Sequence, residues 1–346
     1  MDRHKITLHP KRVSEWLRGD MIYPLEAQVC LSGTCNHKCV FCAMGSAERK
    51  PCLLTRKVME PNLKIMGEKG VKSVIYAGEG EPFVNPEAAD IINITKSDGM
   101  DTAVSTNGVL LTKEKSAACL KSLSWVRFTI AGASDETYEK IHRCKKGDFQ
   151  KALQNMTDAA KIKRQQKLNV TLMAQMSLLP ENKHEVTSLA KIIRAIGFDC
   201  FTVKYFSADK SGKGELCIDN SEAAEIGREL REYGTENFKV YFRARSADNL
   251  GTEKPYNACR GIYFKTNITA SGNVCPCGAF TDGDRVYGNI NEKNFADIWE
   301  SKYAEEIRRR FDDNFIHKNC GKNCRLDEIN EYLHQLKNPT PETMFL

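Results

Sequence analysis

Three cysteines fall within eight residues, Cys35-Asn-His-Lys-Cys39-Val-Phe-Cys42, so one short loop must bring three thiolates to a common point. A four-iron cubane held by protein normally takes four cysteinates. Three from a single loop leave one iron open to a substrate or cofactor, as a catalytic zinc site keeps an open position. The alternative is a structural zinc knuckle, whose ligands normally come as two separated pairs that close a tetrahedron. Cys30 would be the fourth ligand there, but it lies in the apolar-rich run Ala27 to Leu31, which reads as a strand and favours a buried thiol.

Fourteen cysteines in 346 residues without a secretion signal are better explained by metal ligation in a reducing compartment than by disulfides. Cys259, Cys275, Cys277, Cys320 and Cys324 form a second group near the C-terminus. Cys30, Cys52, Cys119, Cys144, Cys200 and Cys217 are scattered and read by default as small apolar fillers. The N-terminal segment has no apolar stretch of signal-peptide length, and nowhere do eighteen apolar residues run together, so a cytoplasmic protein with no membrane partner is expected. Lys and Arg are interleaved with Asp and Glu at a net charge of +6, which describes a solvated surface and not a nucleic-acid groove.

Short apolar, β-branched segments alternate with longer helical patterns, which argues for α/β architecture with βα repeats around a parallel sheet. About six such units are legible. Strands are predicted at Ala27 to Leu31, Val71 to Ala77, Thr102 to Ser105, Val126 to Ile130, Val170 to Ser177 and Cys200 to Phe206. Helices are predicted near Arg56 to Glu68, Lys113 to Leu123, Phe149 to Arg164 and His184 to Ile196. In βα barrels function gathers in the loops after the strands, and the first cysteine group follows the first strand. After about residue 235 the pattern changes to short strands and turns, at Gly261 to Thr269, Ala270-Ser271-Gly272 and Asn273 to Cys277, and a helix follows at Phe295 to Arg310.

The C-x3-C-x2-C pattern, with Phe41 before its last cysteine, resembles the radical S-adenosylmethionine (radical SAM) superfamily. The resemblance implies a partial (β/α)6 TIM-like barrel and a [4Fe-4S] cluster on Cys35, Cys39 and Cys42. It also implies S-adenosylmethionine (AdoMet) chelating the open iron through its amine and carboxylate. One electron, from a flavodoxin- or ferredoxin-type donor, would cleave the sulfonium and release a 5′-deoxyadenosyl radical able to abstract hydrogen from an unactivated C–H bond. The protein's part would be to position the cofactor and exclude water.

Further segments carry the same resemblance. Gly80-Glu81-Pro82, within the pentad Gly78 to Pro82, matches the family segment that binds the cofactor's amino group, although such a pentad alone is usually a turn. Ser105 and Asn107, in Ser105-Thr106-Asn107-Gly108, are the candidates for ribose contact. Thr129 and Ala131 stand where many relatives have Ser and Asp. The downstream Arg143 is a candidate partner for the cofactor's carboxylate through a charge-assisted fork, or else a helix-surface arginine.

Cys259-x12-Gly272-x4-Cys277, a long gap, and Cys320-x3-Cys324 look like the auxiliary-cluster module called SPASM, or its shortened form, twitch. The resemblance implies that Cys259, Cys277, Cys320 and Cys324 hold a second, auxiliary [4Fe-4S] cluster, the single-cluster form fitting the cysteines present. A zinc ribbon is the alternative. The implied division is an N-terminal extension 1–26, a barrel 27–235, a small α+β auxiliary domain 236–330 and a tail 331–346.

Cys275, Cys217 and Cys200 are candidates to return a hydrogen atom to a substrate radical, as in related epimerases, and buried core thiols otherwise. Lys204, Tyr205, Asp209, Arg243 and Arg245 stand where substrate polar groups would be read. The expected activity is epimerisation or alcohol oxidation of a small polar substrate, such as a sugar or aminocyclitol. The runner-up is a maturase of a ribosomally made peptide, and a non-catalytic iron–sulfur or zinc scaffold is the reading from a different class.

Overall fold

The computed structural model describes residues 5–42, 44, 51–205, 217–243, 254–311, 320 and 324–345. Seven parallel strands lie side by side in chain order: β1 (Glu26–Val29), β2 (Ser73–Tyr76), β3 (Asp101–Thr106), β4 (Leu123–Thr129), β5 (Thr171–Leu178), β6 (Cys200–Tyr205) and β7 (Lys239–Arg243). On the far side of β1, β8 (Lys265–Ile268) adds in parallel, and β9 (Asn273–Cys275) and β10 (Gly288–Asn289) continue antiparallel. One sheet therefore runs through both cysteine-bearing regions, and among the described residues β7 and β10 are its unjoined ends. This is the expected α/β class with a partial, open barrel.

Helix α1 (Pro10–Leu17) precedes β1 and packs Trp16 against Tyr263 and Phe264, and helices cover one face of the parallel strands: α2 (Arg56–Glu68), α3 (Ala88–Ser97), α4 (Lys113–Cys119), α5 (Asp135–His142), α6 (Asp148–Gln165), α7 (Val186–Ile196) and α8 (Asn220–Arg231). Side chains alternate across a strand, so Val104, Val126 and Leu172 enter the core on that face. Ser105, Arg127, Met173 and Cys200 share a rung on the other, inner face. Thr112 and Ser134 cap α4 and α5 by accepting the N–H groups of Lys115 and Thr137.

Two helices and one strand depart from expectation beyond small shifts at element ends. The helix predicted over Lys113 to Leu123 stops at Cys119, a 3-10 turn takes Leu120–Ser122, and Leu123 already begins β4. The helix predicted over Phe295 to Arg310 is two helices, α9 (Phe295–Trp299) and α10 (Lys302–Arg309), because Ser301 is extended and caps the second by accepting from Ala304 N–H. Trp299 explains the break: its ring stacks on Phe295 and Tyr23 and its Nε1–H donates to Ile22 O (2.8 Å), which ties the C-terminal region to the segment before β1. The seventh strand, β7, was not expected. A last helix, α11, spans Asp327–Lys337. No helix among the described residues is long and apolar enough to cross a membrane.

Candidate active site and iron–sulfur centres

The loop after β1 is held from three sides. From the loop after β2, Glu81 N–H donates to Thr34 O (3.0 Å). Gly80 packs so tightly there that a Cβ would stand 2.1 Å from Thr34 O and 2.5 Å from Ser32 O, an approach only glycine allows. From the end of β3, Asn107 Nδ2 donates to Asn36 Oδ1 (2.7 Å) and reaches Cys35 Sγ at 3.9 Å. From α5, the carbonyls of Ile141 and His142 accept the N–H groups of Val40 (2.9 Å) and Lys38 (3.1 Å). Those carbonyls are available because Arg143 turns into the left-handed region, φ 45°, and ends the helix.

Cys35, Cys39 and Cys42 are all half-buried on this loop. His37 N–H donates to Cys35 Sγ (3.4 Å), and His142 Nδ1 lies 3.2 Å from Cys39 Sγ. Three soft thiols on one loop, with the His37 N–H and Asn107 Nδ2 directed at Cys35 and a ring nitrogen of His142 beside Cys39, fit an iron–sulfur cluster that keeps one coordination position for a ligand. Burial, and then the charge of neighbouring His37, hold the His142 pKa well below its ordinary value.

Glu81 serves this architecture from behind. Its buried carboxylate accepts from Thr106 Oγ1 (2.7 Å), Asn107 N–H (2.8 Å) and Phe83 N–H (3.2 Å). Burial raises its pKa and those donors partly offset the rise. Glu81 thus clamps the loops after β2 and β3, while buried Pro82 opens the 3-10 turn Pro82–Val84. Phe41 packs against Ala131, Ile141 and Leu179, its ring edge-on to His142 at 5.6 Å. Phe41, Gly80, Glu81 and Asn107 therefore gather around the cysteine loop. Ser105 accepts two hydrogen bonds from Arg127 (Nε and Nη2, both 3.2 Å) on the inner face, which Thr129 shares by alternation. Arg143 is exposed at the flank.

The inner face continues to Lys204 and Arg243, register partners on β6 and β7. Tyr205 points the other way and donates from its hydroxyl to Ile218 O (2.6 Å), so it is a core residue and not a reader of substrate. Asp209 and Arg245 lie outside the described residues. Cys200 sits at the N-terminal end of β6, the end away from the cysteine loop, and burial pushes its thiol up to about 11. Cys217 is half-buried beyond the C-terminal end of β6. Cys275 is fully buried on β9, where burial, then Cys277 and Cys30, push its thiol far up.

The second centre forms where β8 and β9 meet the start of α11. Burial raises the Cys259 thiol, and the thiolate charges of Cys324, Cys277 and Cys320 add to the effect, which puts the four sulfurs in one neighbourhood. Asn330 Nδ2 donates to Cys259 Sγ (3.4 Å) while its Oδ1 accepts from Gly261 N–H (2.7 Å), and Leu326 N–H donates to Cys324 Sγ (3.4 Å). No disulfide joins any of these cysteines. Four clustered thiols with N–H donors fit a fully ligated cluster. Arg325, beside Cys324, reaches into the barrel and donates to Gln28 Oε1 on β1 (3.2 Å). His142, Asn36, Thr106 and Asn330 were not legible as site residues: each acts through a neighbour, and no spacing rule marks such a role.

Comparison with known proteins agrees with this geometry. A family model described as the radical SAM superfamily matches residues 29–193, and one described as the SPASM iron–sulfur cluster-binding domain matches residues 259–325. The chain is 25% identical over 337 residues to the antilisterial bacteriocin subtilosin biosynthesis protein AlbA of Bacillus subtilis (strain 168), covering 91% of this chain and 70% of that protein. It is 26% identical over 318 residues to the AdoMet-dependent heme synthase of Methanosarcina barkeri, covering 84% and 86%. Streptococcus suis SuiB bound to S-adenosylmethionine superposes with a TM-score of 0.66 at 19% identity, covering 97% of this chain and 80% of that one, which shows a shared fold. The chain belongs to the radical SAM superfamily and carries a C-terminal SPASM-type domain, so its cofactors are AdoMet and [4Fe-4S] clusters.

Proposed function

We propose that this enzyme is a maturase that modifies a peptide by hydrogen abstraction. The similarity to AlbA, a bacteriocin biosynthesis protein matched over 91% of this chain, carries the reading. It takes precedence over the small sugar or aminocyclitol substrate expected from the sequence. SuiB, of the same fold, has a solved form bound to precursor peptide SuiA. When bound, the first cluster and AdoMet supply a 5′-deoxyadenosyl radical as the hydrogen-abstracting agent.

The chain's own residues define what happens around it. Cys35, Cys39 and Cys42 hold the first cluster; Gly80, Asn107 and Phe41 shape the cofactor's seat; Cys259, Cys277, Cys320 and Cys324 hold the second. The inner rung with Ser105 and Arg127, together with Lys204 and Arg243, offers the polar groups that orient a substrate. The sheet is open between β7 and β10 among the described residues, which gives an extended chain lateral access. Of the three thiols considered for hydrogen return, Cys217 lies nearest the loop end of the barrel.

Anaerobically reconstituted, reduced protein is incubated with AdoMet and, separately, with short peptides encoded beside the gene, with sugars and aminocyclitols, and with GTP. Formation of 5′-deoxyadenosine together with a mass change or deuterium uptake in a peptide is expected. Stoichiometric conversion of a small molecule with every peptide unchanged overturns the maturase reading. Failure to cleave AdoMet at all overturns the catalytic one.

A further inference from the structure

We propose that His142 is a positioning residue that donates an N–H hydrogen bond to the Cys39 sulfur and thereby sets the redox poise of the first cluster. The inference rests on the cluster assignment and is independent of which substrate is modified.

The tautomer follows from geometry. Ala131 N–H donates to His142 Nε2 at 3.0 Å, and an amide N–H can only donate, so Nε2 carries the lone pair. A neutral imidazole has one proton, which must then sit on Nδ1. Nδ1 stands 3.2 Å from Cys39 Sγ, within hydrogen-bond reach of sulfur, and the sulfur of a cluster-bound cysteine is an acceptor.

The amide that selects this tautomer cannot turn away. The Ala131 carbonyl accepts from Asn182 Nδ2 (2.9 Å), and the next turn is fixed by Glu185, whose carboxylate accepts from Ala133 N–H (2.6 Å) and Ser134 Oγ (2.7 Å). The ring itself is fully buried. It stacks on Tyr138 with centroids 4.1 Å apart and meets the edges of His37 at 5.3 Å and Phe41 at 5.6 Å. Because the His142 carbonyl also accepts from Lys38 N–H (3.1 Å), one residue grips the cysteine loop by both backbone and side chain.

Hydrogen bonds to cluster sulfurs are among the determinants of reduction potential. An added electron raises the negative charge on the thiolate, so a charge-assisted donor binds the reduced form more tightly. Removing it is expected to lower the reduced-to-oxidised ratio at fixed ambient potential about tenfold, which is about 59 mV for a one-electron couple.

The test is an EPR-monitored redox titration of the reconstituted holoenzyme. The first cluster's signal is identified by its change on adding AdoMet, and the second cluster serves as internal reference. His142→Gln keeps an oxygen near Nε2 to accept from Ala131 N–H but loses the donor to Cys39; His142→Asn keeps a donor near Nδ1 but loses the acceptor. Gln is expected to shift the ratio about tenfold and Asn to stay within about twofold of the parent. Equal behaviour of the two, or a larger shift for Asn, overturns the proposal, because a merely structural role favours Gln. Should either variant fail to take up iron, pulsed EPR on the unaltered protein grown with histidine labelled with 15N only at ring Nδ1 decides, because the His37 backbone nitrogen that donates to Cys35 Sγ then stays unlabelled: a 15N coupling on the AdoMet-sensitive signal supports the bond and its absence refutes it.

Discussion

Replacing Gly80 with Ala tests whether the loop after β2 moulds the cysteine loop or merely lies beside it. The added Cβ would sit 2.1 Å from Thr34 O, whereas real Cβ atoms essentially never approach under 3.0 Å, so backbone one residue before Cys35 must move by roughly 1 Å. That movement breaks the Glu81 N–H to Thr34 O hydrogen bond, about 1 kcal/mol, and adds overpacking of about 1–3 kcal/mol. A total of about 2–4 kcal/mol should appear in urea unfolding of the apoprotein. Gly99→Ala is the control: Gly99 has φ +83° and nothing within 4 Å of a built Cβ, so it loses about 1–2 kcal/mol to backbone strain alone. Iron per chain and the AdoMet-induced EPR change should fall in Gly80→Ala and persist in Gly99→Ala. The reasoning is refuted if Gly80→Ala loses less than about 1 kcal/mol and matches Gly99→Ala in both cofactor readouts.

Two further outcomes follow from single sites. A Cys35→Ala, Cys39→Ala, Cys42→Ala variant should keep about four irons on Cys259, Cys277, Cys320 and Cys324; zinc recovered in their place by metal analysis would refute the second cluster. Asp98, at the C-terminal cap of α3, has one carboxylate oxygen buried without a hydrogen-bond partner among the described residues, and burial, followed by Glu60, raises its pKa. A carboxylate raised on folding contributes stability below its unfolded pKa and loses it as pH climbs through the folded one. Asp98→Asn should therefore gain about 0.5 kcal/mol at pH 7 and nothing near pH 3, as read from thermal melts at both pH values.

The strands were legible because β-branched, apolar runs such as Val126 to Ile130 bury one face under helices and have no other use in a polar chain. Elements that escaped notice lack that signature. In α5, Asp-Glu-Thr-Tyr-Glu-Lys-Ile-His, only Tyr138, Ile141 and His142 are buried, too few for a visible stripe. β7 is a sheet end whose residues alternate between exposed and half-buried, so its composition reads as surface. The candidate cysteine ligands stood out in the sequence because metal chemistry restricts both residue type and spacing. His142 did not, since a histidine in the last turn of a polar helix has many uses, and only tertiary structure brings its Nδ1 to Cys39.

What no local pattern contains is the relation between the two centres, and it follows from one pairing. β8 lies parallel to β1 with Val29 opposite Ile268, and Cys275 on β9 is level with Asn267, which is level with Gln28. Cys35 lies past the C-terminal end of β1, whereas Cys277 continues from β9 toward the N-terminal end and Cys259 precedes β8. The two cysteine groups thus stand toward opposite ends of β1. Glu79, which accepts from Ala270 N–H (3.0 Å), and Arg325, which donates to Gln28, lock that arrangement across the seam. Ser105, Arg127, Met173 and Cys200 share an inner rung of the same sheet, and Arg325 reaches that inner face at Gln28 from beside Cys324.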